Sequence, residues 1–279
     1  MQICDAHNDL LMNLHTKTEI KNYLTKYCYT NEVVKIFTAY YINMEQEKSW
    51  INNEILTDIT KKFNLIKNTS ICVPTIENIG FVDNLVILEK LIELKPFCVS
   101  LTWNFDNKLA GGALGQGCIS RFGKEVIEIL ENNKIFIDTA HLNKKSFMQF
   151  AELTRFPIIC THTSNREIYN IPRALDKEQL KIIKESRGFV GLCLYSTLLC
   201  DKKATNRDIM LHIDSFLKYL DWDNIGVGSD FNATGENNPV GYDIDYNGIP
   251  CLLKLIKKQY GNKFCEMFAN KNLQRLLRF

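Results

Sequence analysis

The sequence predicts an α/β protein, a (β/α)8 TIM-like barrel, and three observations predict it. Short runs rich in Val, Ile, Phe and Tyr alternate with longer segments whose apolar residues recur at helical spacing, and eight such runs can be counted. Strands alternating with helices make a parallel sheet, and eight units favour closure into a barrel. The 279 residues suffice for a fold that commonly takes about 250. No glycine-rich phosphate loop of the Rossmann or Walker type is present, which weakens the open doubly wound alternative.

In chain order, the first run is Gln2-Ile3-Cys4, apolar and short, leading into Asp5-Ala6-His7-Asn8-Asp9. Read as a buried strand, its alternation puts Asp5, His7 and Asp9 on one face. Residues 33–42 (VVKIFTAYYI) form the second strand, and residues 46–68 the first long helix, with Trp50, Ile51, Ile55, Ile59, Phe63 and Ile66 on one stripe. Strands follow at 70–77, 97–103, 134–141, 157–162, 188–195 and 225–230, with helices at 84–94, 123–131, 145–155, 176–186 and 207–219 between them. No repeat, low-complexity tract or linker interrupts this order, so one domain spanning 1–279 is expected.

Composition excludes more than it assigns. A net charge of +2 gives no electrostatic reason to expect nucleic acid or an acidic membrane surface as partner. No stretch approaches the roughly 18 apolar residues of a membrane span, and no basic and apolar leader precedes Asp5. Of the ten cysteines, Cys4, Cys72, Cys98, Cys160 and Cys193 sit inside apolar runs as small buried hydrophobes, which points to a reducing compartment and a cytoplasmic location.

Barrel active sites lie at the C-terminal strand ends, so chemistry-bearing residues should fall there. The first strand ends in His7 and Asp9, the third in Glu77, the fifth in His141, the sixth in His162 and the eighth in Asp230. Three of the five histidines are thus at one barrel face, while His15 and His212 are left over, the latter in a helical pattern that suggests a solvent-facing role. Taken singly, His141 or His162 reads as a satisfied core histidine; together with two carboxylates they read as metal ligands, because unpaired polar groups converging there are otherwise costly. Asp5 could support the ligands from behind. Three imidazoles and two carboxylates exceed the needs of one tetrahedral zinc with an open position. A two-metal site fits better: a carboxylate bridges ions about 3.5–4 Å apart that share a hydroxide nucleophile, and Asp230 beside them moves the proton to the leaving group.

The segments DAHNDL, TIEN around Glu77, LTWN at Trp103, RFGKEV, DTAH at His141, CTHTSN at His162, RALDKEQL at Arg173, GVGSDFN at Asp230 and NLQRLL resemble, in order and over essentially the whole chain, the membrane (renal-type) dipeptidase family of zinc peptidases, family M19. The resemblance implies a barrel of the metal-dependent hydrolase type with two Zn²⁺ ions. His7 and Asp9 would hold one ion and His141 and His162 the other, with Glu77 bridging. It also implies that Arg173 binds the substrate's C-terminal carboxylate and that Asp230 is the catalytic aspartate. The substrate implied is a dipeptide, and the oligomeric state is left open to a homodimer.

Some positions depart from the family pattern. Trp103 replaces a histidine that contacts the scissile carbonyl or oxyanion, leaving only an indole N–H to donate; bacterial members with LTWN are more similar here. Asn78 replaces a glycine after the bridging glutamate, and Asn232 the second acid of a D-F-D motif. The glycines at 111, 112, 115 and 117 read as a mobile loop rather than a phosphate cradle. Two alternatives stay open: a barrel metallohydrolase acting on another amide, a lactone or a modified peptide, and a binding protein that keeps the fold but has lost activity.

Overall fold

Eight parallel strands close into a barrel in sequence order: β1 Ile3–Asn8, β2 Val33–Tyr41, β3 Cys72–Glu77, β4 Cys98–Ser100, β5 Phe136–Asp138, β6 Ile159–Thr163, β7 Phe189–Leu192 and β8 Ile225–Val227. This computed structural model describes residues 1–28, 31–49, 51–233 and 246–279. Helices Asn52–Ile66, Leu85–Glu93, Arg121–Asn132, Lys144–Leu153, Lys177–Glu185 and Asn206–Phe216 cover the outside. Their starts are written in the sequence. Asn84, Ser120, Asn143 and Asp176 each accept a backbone N–H from the first turn they precede, which satisfies donors a helix cannot satisfy itself.

Inside the barrel, Cys4 and Ala6 of β1 pack with Phe37, Cys98, Phe136, Ile159 and Phe189, and Leu273 and Leu276 from the C-terminal helix join the same cluster. A second, larger apolar layer lies between the strands and the helices. All ten cysteines are free, and the five expected inside apolar strands are buried. Among the described residues no helix is long and apolar enough to cross a membrane.

Four expectations need correction. The helix read over 46–68 is two helices, Met44–Ser49 and Asn52–Ile66. Ile51 between them is extended (φ −71°, ψ 135°) and 66% exposed, because the Glu54 carboxylate accepts its N–H and starts the second helix there. The rest of the stripe, Ile55, Ile59, Phe63 and Ile66, is buried, and Trp50 lies outside the described residues. His212 does not face solvent. It is fully buried, its Nδ1 accepting the Asn165 N–H at 3.1 Å and its Nε2–H donating to the Leu199 carbonyl at 2.9 Å, so the polar ends of the imidazole are satisfied inside the protein.

The segment 104–119 is tied rather than slack. The Asp106 carboxylate accepts the backbone N–H groups of Gly112, Gln116 and Gly117 at 3.1, 3.0 and 2.8 Å. Its glycines are there to let backbone wrap a carboxylate: a Cβ on Gly115 would lie 1.8 Å from Asp106 Oδ1.

The fourth correction concerns alternation along β1. Cys4 and Ala6 face the interior, and Asp5 accordingly points the other way, accepting the Ser229 N–H at 2.8 Å and the Tyr246 hydroxyl at 2.6 Å. Strict alternation would send His7 out with Asp5. The β1–β2 register shifts between Asp5 and Asn8, however, and this bulge turns His7 inward as well.

Candidate metal and substrate site

The cluster is built by two kinds of strand end. On β3 alternation is unbroken, and Glu77 is simply its last inward side chain. On β6 the interior residues Ile159 and Thr161 alternate, but the β6–β7 register shifts between Cys160 and Thr163, which brings His162 inward beside Thr161. His7 and His162, each delivered by a bulge, have ring centroids 3.8 Å apart. His141 and Asp230 come from the connections after β5 and β8, and Asp230 has a left-handed backbone (φ 62°). Asn78 takes the same conformation directly after Glu77 (φ 69°), which explains how asparagine serves where the family has glycine. Its amide donates to the Ile42 carbonyl at 2.9 Å.

The acceptors converge. Glu77 Oε1 lies 2.7 Å from His141 Nε2, 3.6 Å from His162 Nε2 and 3.8 Å from His7 Nε2. His7 Nε2 is also 3.4 Å from Asp9 Oδ1 and 3.8 Å from Asp230 Oδ1. The Nε2 atoms of His141 and His162 are 3.0 Å apart. Partners on the far side of the rings fix where the protons are. Asn104 Oδ1, an acceptor, sits 3.0 Å from His141 Nδ1, so that nitrogen carries the proton and its Nε2 is a bare lone pair. Arg173 Nη2 donates to that same Nε2 at 3.1 Å.

Burial makes this arrangement expensive without added positive charge. His7 Nε2, Asp9 Oδ1 and Glu77 Oε1 are buried side-chain atoms with no hydrogen-bond partner. Burial pushes the acid pKa values of Glu77, Asp9 and Asp230 up, and it pushes the imidazoles of His141 and His162 well down, keeping both neutral. Burial also acts against charge on His7, yet Glu77, Asp9 and Asp230 outweigh it and raise His7. Three acids are thus answered by one imidazole and the Arg173 guanidinium, a deficit that a divalent cation fits. Two overlapping groups have ligand atoms within 4.8 Å of one another: His7, Glu77 and His162, and His7, Asp9 and Asp230.

Above the cluster opens a cavity of about 290 Å³ lined by Asp9, Glu77, Trp103, His141, His162, Arg173 and Asp230, together with Tyr195, Leu198 and Ala233. Seven of the eight residues singled out from the sequence line it, and His7 lies beneath. Trp103 stacks at 5.8 Å on His141 and at 4.9 Å against Tyr41. Arg173 Nη1 is buried and has no partner. Asp5 supports the site through backbone, taking the N–H groups of His7 and Ser229, not through an imidazole. Residue-by-residue reading passed over Thr161 and Asp138, which lie beneath the histidines, and Cys193, whose S–H donates to Asp230 Oδ2 at 3.6 Å. Their only signal was adjacency to His141, His162 and the strand ends.

A family model described as membrane dipeptidase, peptidase family M19, matches residues 54–279. An uncharacterized protein encoded in the pqqA 5′ region of Klebsiella pneumoniae is 25% identical over 190 residues, 63% of this chain and 69% of its own length. Dipeptidase 3 of Rattus norvegicus is 25% identical over 162 residues, 57% of this chain and 33% of its own length. Among solved structures, a metallopeptidase from Rhodobacter sphaeroides liganded with a phosphinate mimic of the dipeptide L-Ala-D-Ala superposes with a TM-score of 0.77 at 18% identity, covering 100% of this chain and 99% of that one. A metallopeptidase of family M19, dipeptidase AC, superposes with a TM-score of 0.81 at 18% identity, covering 100% and 98%. At that identity the superpositions carry the fold, and the family model carries the kinship. The chain belongs to the membrane dipeptidase family, peptidase family M19, and is by family a metallo-dipeptidase.

Proposed function

We propose that the chain is a zinc dipeptidase with a two-ion centre, in which His7 and Asp9 hold one ion, His141 and His162 the other, and Glu77 both. The observation that carries this reading is the convergence of buried ligand atoms without partners: Asp9 Oδ1, Glu77 Oε1 and His7 Nε2 have no hydrogen bond, and Glu77 Oε1 is 2.7 Å from a lone pair on His141. Such groups repel unless positive charge sits among them, and imidazole nitrogen with carboxylate oxygen is a donor set that zinc takes readily. Five ligand groups are more than one such ion uses, and Glu77 Oε1 reaches toward imidazoles of both pairs. When bound, the ions supply a water that is nucleophilic at neutral pH and a positive field over the substrate carbonyl.

The remaining residues bind, orient and move protons. The buried, partnerless Arg173 Nη1 and its neighbour Nη2 form a fork suited to the two oxygens of a C-terminal carboxylate. Trp103 and Tyr195 shape a cavity of about 290 Å³, sized for a small substrate, and the stacking of Trp103 on His141 holds that ring in place. Asp230, oriented by the Cys193 thiol, takes the proton lost by the attacking water and returns it to the amine as the C–N bond breaks.

Metal analysis of the purified chain, with hydrolysis of a dipeptide panel in added zinc or cobalt, tests the centre. Up to two equivalents are expected, with weaker uptake in Glu77→Gln; a chain that never holds more than one ion in excess zinc refutes the two-ion reading. Two variants test the organic residues. Arg173→Ala should raise KM for free dipeptides far more than for C-terminally amidated ones, a loss on the order of 2–5 kcal/mol. Asp230→Asn should keep its metal and lower kcat by about 10²–10⁴. Equal effects on free and amidated substrates, or activity of Asp230→Asn within a few-fold of wild type, would remove the respective role.

A further inference from the structure

Beneath the metal cluster lies one buried hydroxyl that no step of the reaction uses. Thr161 of β6 precedes His162 in sequence and faces His7 across the barrel. Its Oγ1 lies 3.0 Å from His162 Nδ1 and 3.4 Å from His7 Nδ1. Its hydroxyl donates to Asp138 Oδ2, and its backbone N–H donates to Asp138 Oδ1 at 2.9 Å.

Counting protons assigns the tautomers. The Asp138 carboxylate only accepts, so the hydroxyl proton points to it, and two lone pairs on Oγ1 are left for two N–H donors. His162 then carries its proton on Nδ1 and presents a bare Nε2 to the cluster, while His7 donates through Nδ1 and keeps Nε2 as the position that gives up its proton to a bound ion. These two Nε2 atoms flank Glu77 Oε1 at 3.6 and 3.8 Å, and in the two-ion reading they serve different ions.

The backbone is cut to fit this placement. The Thr161 carbonyl presses against Gly191 of β7 and Gly228 just after β8, where an added Cβ would come within 1.8 and 1.9 Å of its oxygen. Only glycine at both positions leaves room for the irregular stretch of β6 that puts Thr161 and His162 on the same side.

We propose that Thr161, clamped by Asp138, is a positioning residue that sets the tautomer and tilt of both histidines at once and thereby couples the two halves of the metal centre. An ion on His162 fixes the tilt of that ring and, through its Nδ1–H, the position of the Thr161 hydroxyl that also receives the His7 Nδ1–H. The second ion then meets a ring already set, so uptake of the two ions is cooperative. The inference rests on the two-ion reading above.

The test is titration of the metal-free chain with zinc, followed calorimetrically and by the metal-induced rise in Tm, in the wild type and three variants. Thr161→Val keeps the volume and removes the hydroxyl; both ions should bind about 10–100-fold more weakly and without cooperativity. Thr161→Ser should restore affinity and cooperativity. Asp138→Asn, whose amide can donate to Oγ1 and turn the hydroxyl proton around, should weaken both ions even if Thr161→Val folds poorly. A wild type that takes up two ions, with Thr161→Val or Asp138→Asn binding both as tightly, overturns the coupling and leaves the two-ion reading standing. Weakening of one ion only, or Thr161→Ser as weak as Thr161→Val, also overturns the shared hydroxyl. A wild type that takes up fewer than two ions overturns both readings.

Discussion

β2 and β3 run together through six consecutive pairs, from Ile36 against Cys72 to Tyr41 against Glu77, without a break. β1 and β6, facing each other across the barrel, each lose register near their C-terminal ends. The regular wall contributes one site residue, Glu77, at its last inward position. Each irregular strand contributes a histidine that alternation would have turned away. The difference follows from what a barrel interior is. Its inward positions lower down are already filled by Phe37, Phe136, Ile159 and Phe189, so the rim must gain inward positions if it is to hold several ligands. A bulge supplies one such position at the loss of ladder regularity.

Substituting each wall separately breaks the comparison apart. In Gly228→Ala the new Cβ would meet the Thr161 carbonyl at 1.9 Å, which forces the backbone of β6 to move. The expected cost is about 1–3 kcal/mol of stability, together with weaker metal uptake, because Thr161 and His162 move with it. Phe37→Leu on the regular wall removes part of a fully buried ring that packs at 4.7 Å on Phe97. It should lose roughly 1 kcal/mol and leave metal affinity unchanged. Urea unfolding and zinc titration of both variants give the answer. If Phe37→Leu loosens the metal as much as Gly228→Ala does, the two walls do not differ in the way argued.

The same contrast explains what could be read from the sequence. The barrel was legible because hydrophobic periodicity acts locally, within one turn or one strand. Glu77 and the other strand-end residues were legible because barrel sites lie at that face, and the family motifs run through them. The inward turn of His7 was not, since alternation is a local rule and the bulge that overrides it depends on how β1 meets β2. Thr161 was hidden for a related reason: its value comes from His7 and Asp138, residues 154 and 23 positions away. The tie of Asp106 to Gly112, Gln116 and Gly117 was read as slack because glycine content alone does not distinguish a free loop from one folded around a carboxylate.

His212 carries the smallest expected effect and sharpens the comparison from the side of pH. A helical pattern gave no sign that this residue would be buried, yet it joins the connection after β6, at Asn165, to Leu199 at the end of the short helix Ser196–Leu199, whose Leu198 lines the cavity. The Nδ1 contact requires neutral imidazole, whose proton then sits on Nε2 and goes to Leu199. Burial lowers its pKa, against smaller upward contributions from the Leu199 carbonyl and Asp208. The unfolded chain therefore takes up a proton near pH 6.5, while the folded chain does so only at lower pH. The stability held by neutral His212 is complete above about pH 6.5 and is lost as pH falls from there through the folded value, at no more than about 1.4 kcal/mol per pH unit for one proton. His212→Gln should be less stable than wild type at pH 7.5, and because it cannot titrate, the gap should narrow as the pH is lowered to 5.5. Acid effects on the metal cluster are common to both proteins and cancel in the difference. Urea midpoints measured at the two pH values decide it: a gap that stays constant means His212 is not the neutral buried link described, and the connection carrying Arg173 is then held by its other contacts alone.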